Sequence, residues 1–540
     1  MKSFDYQLNL KNIFPPTLRN FPDQEIVYRD LRRLTFKEFY DRVSRFSYGL
    51  SKIGVKPGDK VGILDWDTDF YVQSYFSIPM MGAVLHTVNI RYPPELIFYT
   101  MQHAEDKYVL IRDEFVPLIE KAAQLFDFVK GWIIYSDTNE KIKTTLEPHY
   151  YYSELIESSE QYEFPDLNEN TIATIFYTSG TTGMPKGVTF THRNIVLHAM
   201  ALVIAVRSDP LYITDRDVFM NLVPLFHVHG WGFPHVTMIT GNKYVLPGRY
   251  DIKRILELIK NERVTLSMMV PSILYMILTH PEIEDYAKYL EGLKVGIGGA
   301  GLTPGLLKLA EKYGIKPFSG YGLSESCPVL TIAVYNNKVK KMSEERKQYY
   351  RLSTGIPMPL VHVKVVNSSG NEVPWDGKTI GEIVVRAPWL TKEYFKDEEK
   401  TNELWRDGWM HTADLAFVDP EGYLHIVDRE KDAVKSGGEF IPSMLIENVI
   451  SEIPQVAEVA IIGKPDLKWG ERPVAFITLK ENTDKKSIYG YLEKYVSTGR
   501  IQKWWIPDDI IFIKEMPKTS TNKIDKKELK KLIENKINKI

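Results

Sequence analysis

Cysteine is almost missing from this sequence. Cys327 stands alone among 540 residues, which excludes internal disulfides and any cysteine-based metal cluster, and fits a reducing compartment. An excess of charge is missing as well. The 68 lysines and arginines against 70 aspartates and glutamates leave a formal net charge of −2, so nothing attracts the chain generally to nucleic acid or an anionic membrane, and small molecules are the expected partners. The longest apolar stretch, residues 195–206, is interrupted by His198 and falls short of the roughly 20 residues that cross a bilayer. Residues 1–16 are polar and mixed, without the charged start, apolar middle and small-residue cleavage site of a secretion signal; a cytoplasmic chain without a transmembrane segment is expected. A Walker-type phosphate loop is lacking too. Lys186 is followed by Gly187, where the G-x-x-x-x-G-K-[ST] pattern demands a hydroxyl.

The chain does hold enough apolar residues, 44% of the total, to bury several cores in two to four structural units. Strand-like runs alternate with helix-like ones: 60–64, the amphipathic 70–81, 83–87, the helix 94–103 and 108–111, then 218–222, 243–246, the helix 252–262, 265–270 and 293–298. This punctuation predicts stacked, mostly parallel α/β layers. From residue 354 short strands and turns take over (362–366, 381–385, 424–427) and predict an antiparallel, barrel-like subdomain over about 354–427. A smaller α+β unit follows over 428–540, with helices at 443–452 and 488–496, strands at 456–463 and 474–479, and an amphipathic, solvated helix after 524. The joint is placed at Asp428, leaving 1–427 as the large N-terminal domain.

The most informative stretch is Tyr177-Thr178-Ser179-Gly180-Thr181-Thr182-Gly183-Met184-Pro185-Lys186-Gly187. Its glycines admit φ > 0 and close approach, its hydroxyls donate to phosphate oxygens or ligate a metal, and Lys186 adds a point charge. It leaves the apolar run 171–177, a buried strand by its pattern, and strand ends are where α/β proteins hold nucleotides. Further segments stand out in order: Pro224-Leu225-Phe226-His227-Val228-His229-Gly230-Trp231, Gly298-Gly299-Ala300-Gly301, Ser319-Gly320-Tyr321-Gly322-Leu323-Ser324-Glu325-Ser326, His411-Thr412-Ala413-Asp414, Asp428-Arg429-Glu430-Lys431-Asp432, Lys435-Ser436-Gly437-Gly438-Glu439, and Pro517-Lys518-Thr519-Ser520-Thr521-Asn522-Lys523-Ile524. Taken singly, each reads as a turn, a structural histidine or a solvated charge run.

As a series, over about 20–527, these segments resemble the adenylate-forming superfamily of acyl-CoA synthetases, luciferases and peptide-synthetase adenylation domains, closest to medium- and long-chain fatty acid–CoA ligases. The resemblance implies an α/β fold with a large N-terminal domain and a small mobile C-terminal one. It also implies the reaction of a carboxylic acid, ATP and CoA to acyl-CoA, AMP and diphosphate through an acyl-adenylate. Carried over motif by motif, it assigns ATP binding to Ser179, Gly180, Thr181, Thr182, Gly183, Lys186, Gly299, Ala300, Gly320, Tyr321, Gly322 and Ser324, with Asp414 and Arg429 on the ribose. Thr181 and Glu325 would hold Mg²⁺. Lys523 is the expected catalytic lysine, acting with Glu325, Thr181, Lys186 and His227. His227, Val228, Gly230, Trp231, Gly298, Leu323 and Cys327 would form the acyl pocket, Trp231 standing where related fatty acyl-CoA synthetases carry a tunnel gate. Asp428 is the hinge, and Lys435, Ser436, Gly437, Gly438 and Glu439 form the loop that swings in to meet CoA.

Three positions depart from the usual motifs: Ser324 for Thr, Ala413 for Gly, and Asn522 for Gly. The hydroxyl is kept at Ser324, the ribose acceptor at Asp414, and Asn tolerates φ > 0. A short-chain or hydroxy acid such as hydroxybutyrate or hydroxypropionate, an adenylation enzyme feeding a carrier protein, and a catalytically silent nucleotide-binding protein stay as alternative readings. A homodimer is left open.

Overall fold

The computed structural model describes residues 5–138, 141–157, 160–178, 184–437, 439–499, 501–519 and 523–537. Two sheets dominate the large domain. In the seven-stranded sheet, His149–Tyr151, Gly131–Tyr135, Asp106–Arg112, Lys60–Leu64, Val84–Thr87 and Ile172–Thr178 run parallel in that spatial order, and Lys186–Thr191 closes the edge antiparallel to Ile172–Thr178. The nine-stranded sheet has a parallel centre, Lys316–Gly322, Lys294–Ile297, Leu266–Met269, Val218–Asn221, Lys243–Leu246 and Glu25–Tyr28, with antiparallel strands at both ends. The parallel layers expected from the alternating pattern are therefore present. Strands buried on both faces read as unbroken apolar runs, which is why Val84–Thr87 and Leu266–Met269 are buried throughout.

The phosphate-type loop is placed by this arrangement. Its preceding strand, Ile172–Thr178, carries Ala173 to Tyr177 in the core. The chain resumes in the paired strand Lys186–Thr191, and only then enters the helix His192–Val206, capped by Thr191, whose hydroxyl accepts from Asn194 N–H. A β-strand stands between loop and helix, because Val188 and Phe190 alternate into the core and pair the segment back onto its neighbour. Ser179, Gly180, Thr181, Thr182 and Gly183 lie outside the described residues.

A five-stranded antiparallel sheet follows, with His362–Val366, Gly381–Arg386, Trp409–Val418 and Trp405–Arg406 in order and Leu424–Arg429 on Trp409–Val418. The smaller C-terminal domain is built on a separate five-stranded sheet. Its long hairpin of Val456–Asp466 and Gly470–Leu479 packs against the helix Ser443–Ser451 around Ile446, Ile450, Ile461 and Ile477. The terminal helix Lys526–Ile537 is amphipathic as expected but not merely solvated: Leu529 and Ile533 dock with Met516, Val474 and Phe476.

Candidate active site

The segments picked out in sequence converge on one cavity of about 1050 Å³ between the two domains. Lys186, His227, Val228, Trp231, Gly298, Gly299, Ala300, Gly320, Tyr321, Gly322, Leu323, Ser324, Glu325, Asp414, Asp428, Arg429 and Lys523 all line it. Gly298 to Ala300 and Gly320 to Ser324 come from the ends of parallel strands, where α/β sheets present their loops, while Lys186, Asp414, Asp428 and Arg429 stand on antiparallel strands.

Local backbone explains several placements. Val228, His229, Gly230, Trp231 and Gly232 have φ of 46°, 57°, 52°, 56° and 85°, a left-handed turn that costs non-glycine residues about 1–2 kcal/mol each. Surrounding structure holds it: His229 is fully buried, with Nε2 2.7 Å from Thr174 Oγ1. The turn aims the Trp231 ring at Gly298, where a Cβ would lie 2.8 Å from the indole. A side chain at Gly298 would have to displace that ring. At Gly299 (φ +75°), a Cβ would approach Lys523 Cε to 2.8 Å, so a bare backbone is also what lets the lysine of the small domain lie inside the cavity of the large one.

The charged groups form a connected cradle. The Tyr321 hydroxyl donates to Asp414 Oδ2 at 2.7 Å, Arg429 Nε lies 3.2 Å from Asp414 Oδ1, and Asp414 N–H donates to Thr412 Oγ1 at 3.1 Å. Burial pushes the Asp414 carboxyl up, opposed by Arg429 and Tyr321. Burial pulls the Lys523 ammonium down to about 8, and Arg429 pulls in the same direction against Asp414 and Glu325. His227, between Lys523 and Arg91, is pulled down to about 3, first by burial, and is a neutral imidazole at ordinary pH. A smaller recess of about 20 Å³ beside it is lined by Arg91, His227, Trp231, Tyr250 and Lys523. The Glu325 carboxylate accepts from the Tyr394 hydroxyl at 2.6 Å, and Lys186 Nζ sits 4.6 Å from the centre of the same Tyr394 ring.

Part of the wall is apolar. Leu202 and Val206, one turn apart on the helix His192–Val206, face inward with Phe233, Val329 and Ile332. Two expected pocket residues sit behind this wall instead of on it. Cys327 is buried with Sγ 3.8 Å from His229 Nδ1, and a Cβ on Gly230 would face Leu225 and Asn221. Gly322 lines the cavity for a packing reason, since its missing Cβ would strike Pro328 O at 1.7 Å.

Asp428 is buried in the strand Leu424–Arg429, hydrogen-bonded to the Ser443 hydroxyl and 3.3 Å from Lys526 Nζ, which also reaches Glu447 at 3.1 Å. Against its own burial, Glu447 and Asp428 hold the Lys526 ammonium well above the usual range. Lys435, Ser436, Gly437 and Glu439 are not brought to the cavity. They belong to the strands Val434–Ser436 and Glu439–Ile441 and the turn between them, with Ser436 Oγ accepting from Arg472 at 3.2 Å; Gly438 lies outside the described residues. Sequence reasoning missed Tyr394 and Arg91. Neither belongs to a glycine- or hydroxyl-rich loop, and only the fold carries them to the motifs.

The sequence matches the AMP-binding enzyme family over residues 14–395 and the AMP-binding enzyme C-terminal domain over 445–523. It is 35% identical to a long-chain-fatty-acid–CoA ligase of Thermus thermophilus over 98% of this chain and 96% of the relative. It is 36% identical to a 3-methylmercaptopropionyl-CoA ligase of Ruegeria lacuscaerulensis over 92% and 91%. The fold superposes on an anthranilate CoA ligase in complex with anthranoyl-AMP with a TM-score of 0.85, at 23% identity and 99% coverage of both chains. Among the described residues no helix is long and apolar enough to cross a membrane. The chain belongs to the AMP-binding enzyme family and is an adenylate-forming, AMP-forming acid–thiol ligase of the acyl-CoA synthetase type.

Proposed function

We propose that the acid is an aliphatic monocarboxylate of medium or long chain, and that the cavity residues act in the roles their positions suggest. The observation that supports this reading is the mixed lining of the cavity. Lys186, Glu325, Asp414, Arg429 and Lys523 line it together with Leu202, Val206, Phe233, Val329 and Ile332, which pack with Trp231 in one hydrophobic cluster. A second carboxylate or an amine on the acid, set among those apolar side chains, would be unpaired at a cost of several kcal/mol.

In the first half-reaction a carboxylate oxygen attacks the α-phosphorus of ATP and pyrophosphate leaves, giving the acyl-adenylate. In-line phosphoryl transfer needs positioning and charge stabilisation more than covalent help. Lys186 and Lys523 supply cations to the phosphates, Tyr321 lies under the adenine, and Asp414 with Arg429 holds the ribose. Glu325 offers a hard oxygen donor whose Oε2 has no partner among the described residues, and no group of three metal-binding side chains is found there. That donor set fits Mg²⁺, which keeps water and phosphate ligands. Glu325 would hold the ion, with Thr181, outside the described residues, as the expected second ligand, and the bound ion would neutralise phosphate charge.

In the second half-reaction the CoA thiolate attacks the acyl carbon and AMP leaves. Lys523 lies inside the cavity while Lys435, Ser436, Gly437 and Glu439 lie away from it, and this supports a rotation of the small domain about Asp428, with 1–427 and 428–540 as the moving units, that exchanges the two. The deciding experiment is pyrophosphate and AMP release across acids of graded length, including hydroxy and aryl acids, with and without CoA. CoA-dependent turnover peaking at one aliphatic length is expected. Best turnover with a dicarboxylate or aryl acid would overturn the substrate class.

A further inference from the structure

Lys186 and Glu325 present opposite charges to the same partly dehydrated cavity, yet no ion pair joins them among the described residues. Opposite charges so placed attract strongly. A pair formed between them would cancel both before a ligand arrived. Tyr394 touches both. Its hydroxyl donates to Glu325 Oε1 at 2.6 Å, while Lys186 Nζ rests 4.6 Å from the centre of its ring, where the negative face of the π-system attracts a cation. One neutral side chain thus satisfies a carboxylate through its edge and an ammonium through its face. Both keep capacity for a ligand: Oε2 of the carboxylate, and the N–H donors of the ammonium.

The tyrosine is held for such a task. It is 7% exposed, its N–H donates to Thr401 Oγ1 at 2.9 Å, and it bridges to Val188 of the strand that starts with Lys186. Its neighbour Phe395 donates N–H to Gly187 O at 2.8 Å, and Thr391 N–H donates to the backbone O of Glu325 at 2.8 Å. The segment Thr391 to Phe395 therefore clasps the backbone at Glu325 and at Gly187, next to Lys186, as well as touching both charged side chains. We propose that Tyr394 is a positioning residue that keeps Lys186 and Glu325 apart and leaves both charges available to the metal–nucleotide complex. This rests on the nucleotide site proposed above.

The test compares wild type with Tyr394→Phe, which keeps the ring, and Tyr394→Leu, which keeps neither ring nor hydroxyl. Calorimetric affinities are measured for ATP with Mg²⁺, ATP with chelator, and AMP. Mg²⁺–ATP binding should weaken about tenfold in the leucine variant and less in the phenylalanine variant, with AMP affinity within about twofold of wild type throughout. A thermal double-mutant cycle of Lys186→Met with Glu325→Gln, without nucleotide, should show coupling of about 2 °C or more in the Tyr394→Leu background and none in the Tyr394 background. Equal coupling in both backgrounds, or AMP binding lost as severely as Mg²⁺–ATP binding, would overturn the proposal. If wild type bound no Mg²⁺–ATP, the nucleotide-site reading would fail by itself, and the thermal cycle would still decide whether Tyr394 separates the two charges.

Discussion

Lys523 shows how one residue can be both costly and useful. Its ammonium is taken out of water into a cavity that already holds Arg429, and burial with this like charge brings it down to about 8. A base whose folded value is depressed loses its proton as pH rises through that value, so the cation in the free enzyme is complete below about 8 and disappears above it. We expect kcat/KM for adenylation to fall about tenfold per pH unit above that point, and Lys523→Arg to move the falling limb beyond the accessible range. Lys523→Ala should lower adenylation by a factor of about 10² or more, yet spare thioester formation from supplied acyl-adenylate. Equal loss of both half-reactions would remove Lys523 from its role. The sequence made this residue legible through its flanking motif. It could not show that Gly299 leaves space for the lysine stem, because that contact joins positions more than two hundred residues apart.

At the scale of elements, the docking of the two domains depends on a close approach of helices. Gly305, in the first turn of Pro304–Lys312, faces the end of Ser443–Ser451, and a Cβ there would lie 2.2 Å from Ser451 O. Backbone cannot yield as a flexible side chain can, so Gly305→Ala should push the small domain out of the arrangement that holds Lys523 in the cavity. Overpacking of this kind costs about 1–3 kcal/mol, which predicts adenylation slowed about tenfold with thioester formation from acyl-adenylate unharmed. Unchanged adenylation by pyrophosphate release would show the contact is incidental. Strands and helices such as 60–64, 243–246 and 252–262 were legible to the residue, because period and burial agree within each segment. Gly305 gave no signal, since its neighbour across the interface belongs to another domain. Cys327 misled for a related reason: it stands next to the pocket in sequence, but its φ of 75° turns it inward onto His229.

The molecule as a whole carries a liability written in its core. His192, His198, His229 and His235 are buried at 0–1% exposure around the helices His192–Val206 and Phe233–Thr240. Burial takes His192 down to about 4, His198 and His229 to about 3, and His235 well below the usual value. In each the folded state favours the neutral ring, so between about pH 6.5 and the depressed values the unfolded chain binds protons that the folded one refuses. Stability must therefore fall as pH falls through that window. The slope is about 1.4 kcal/mol per pH unit for each such histidine, and His227 adds to the set, so their summed loss is a large part of the total for a typical domain. His235 isolates the effect, because neither ring nitrogen has a hydrogen-bond partner among the described residues, and its ring lies 5.3 Å from Phe76 and 5.8 Å from Tyr75, centre to centre. Phenylalanine would fill the same aromatic cage without a group to protonate. Urea unfolding of wild type and His235→Phe at pH 7.5 and 5.5 should show the variant at least as stable at the higher pH, with a smaller loss on acidification. An identical loss in both proteins would mean that these histidines are not what acid unfolds.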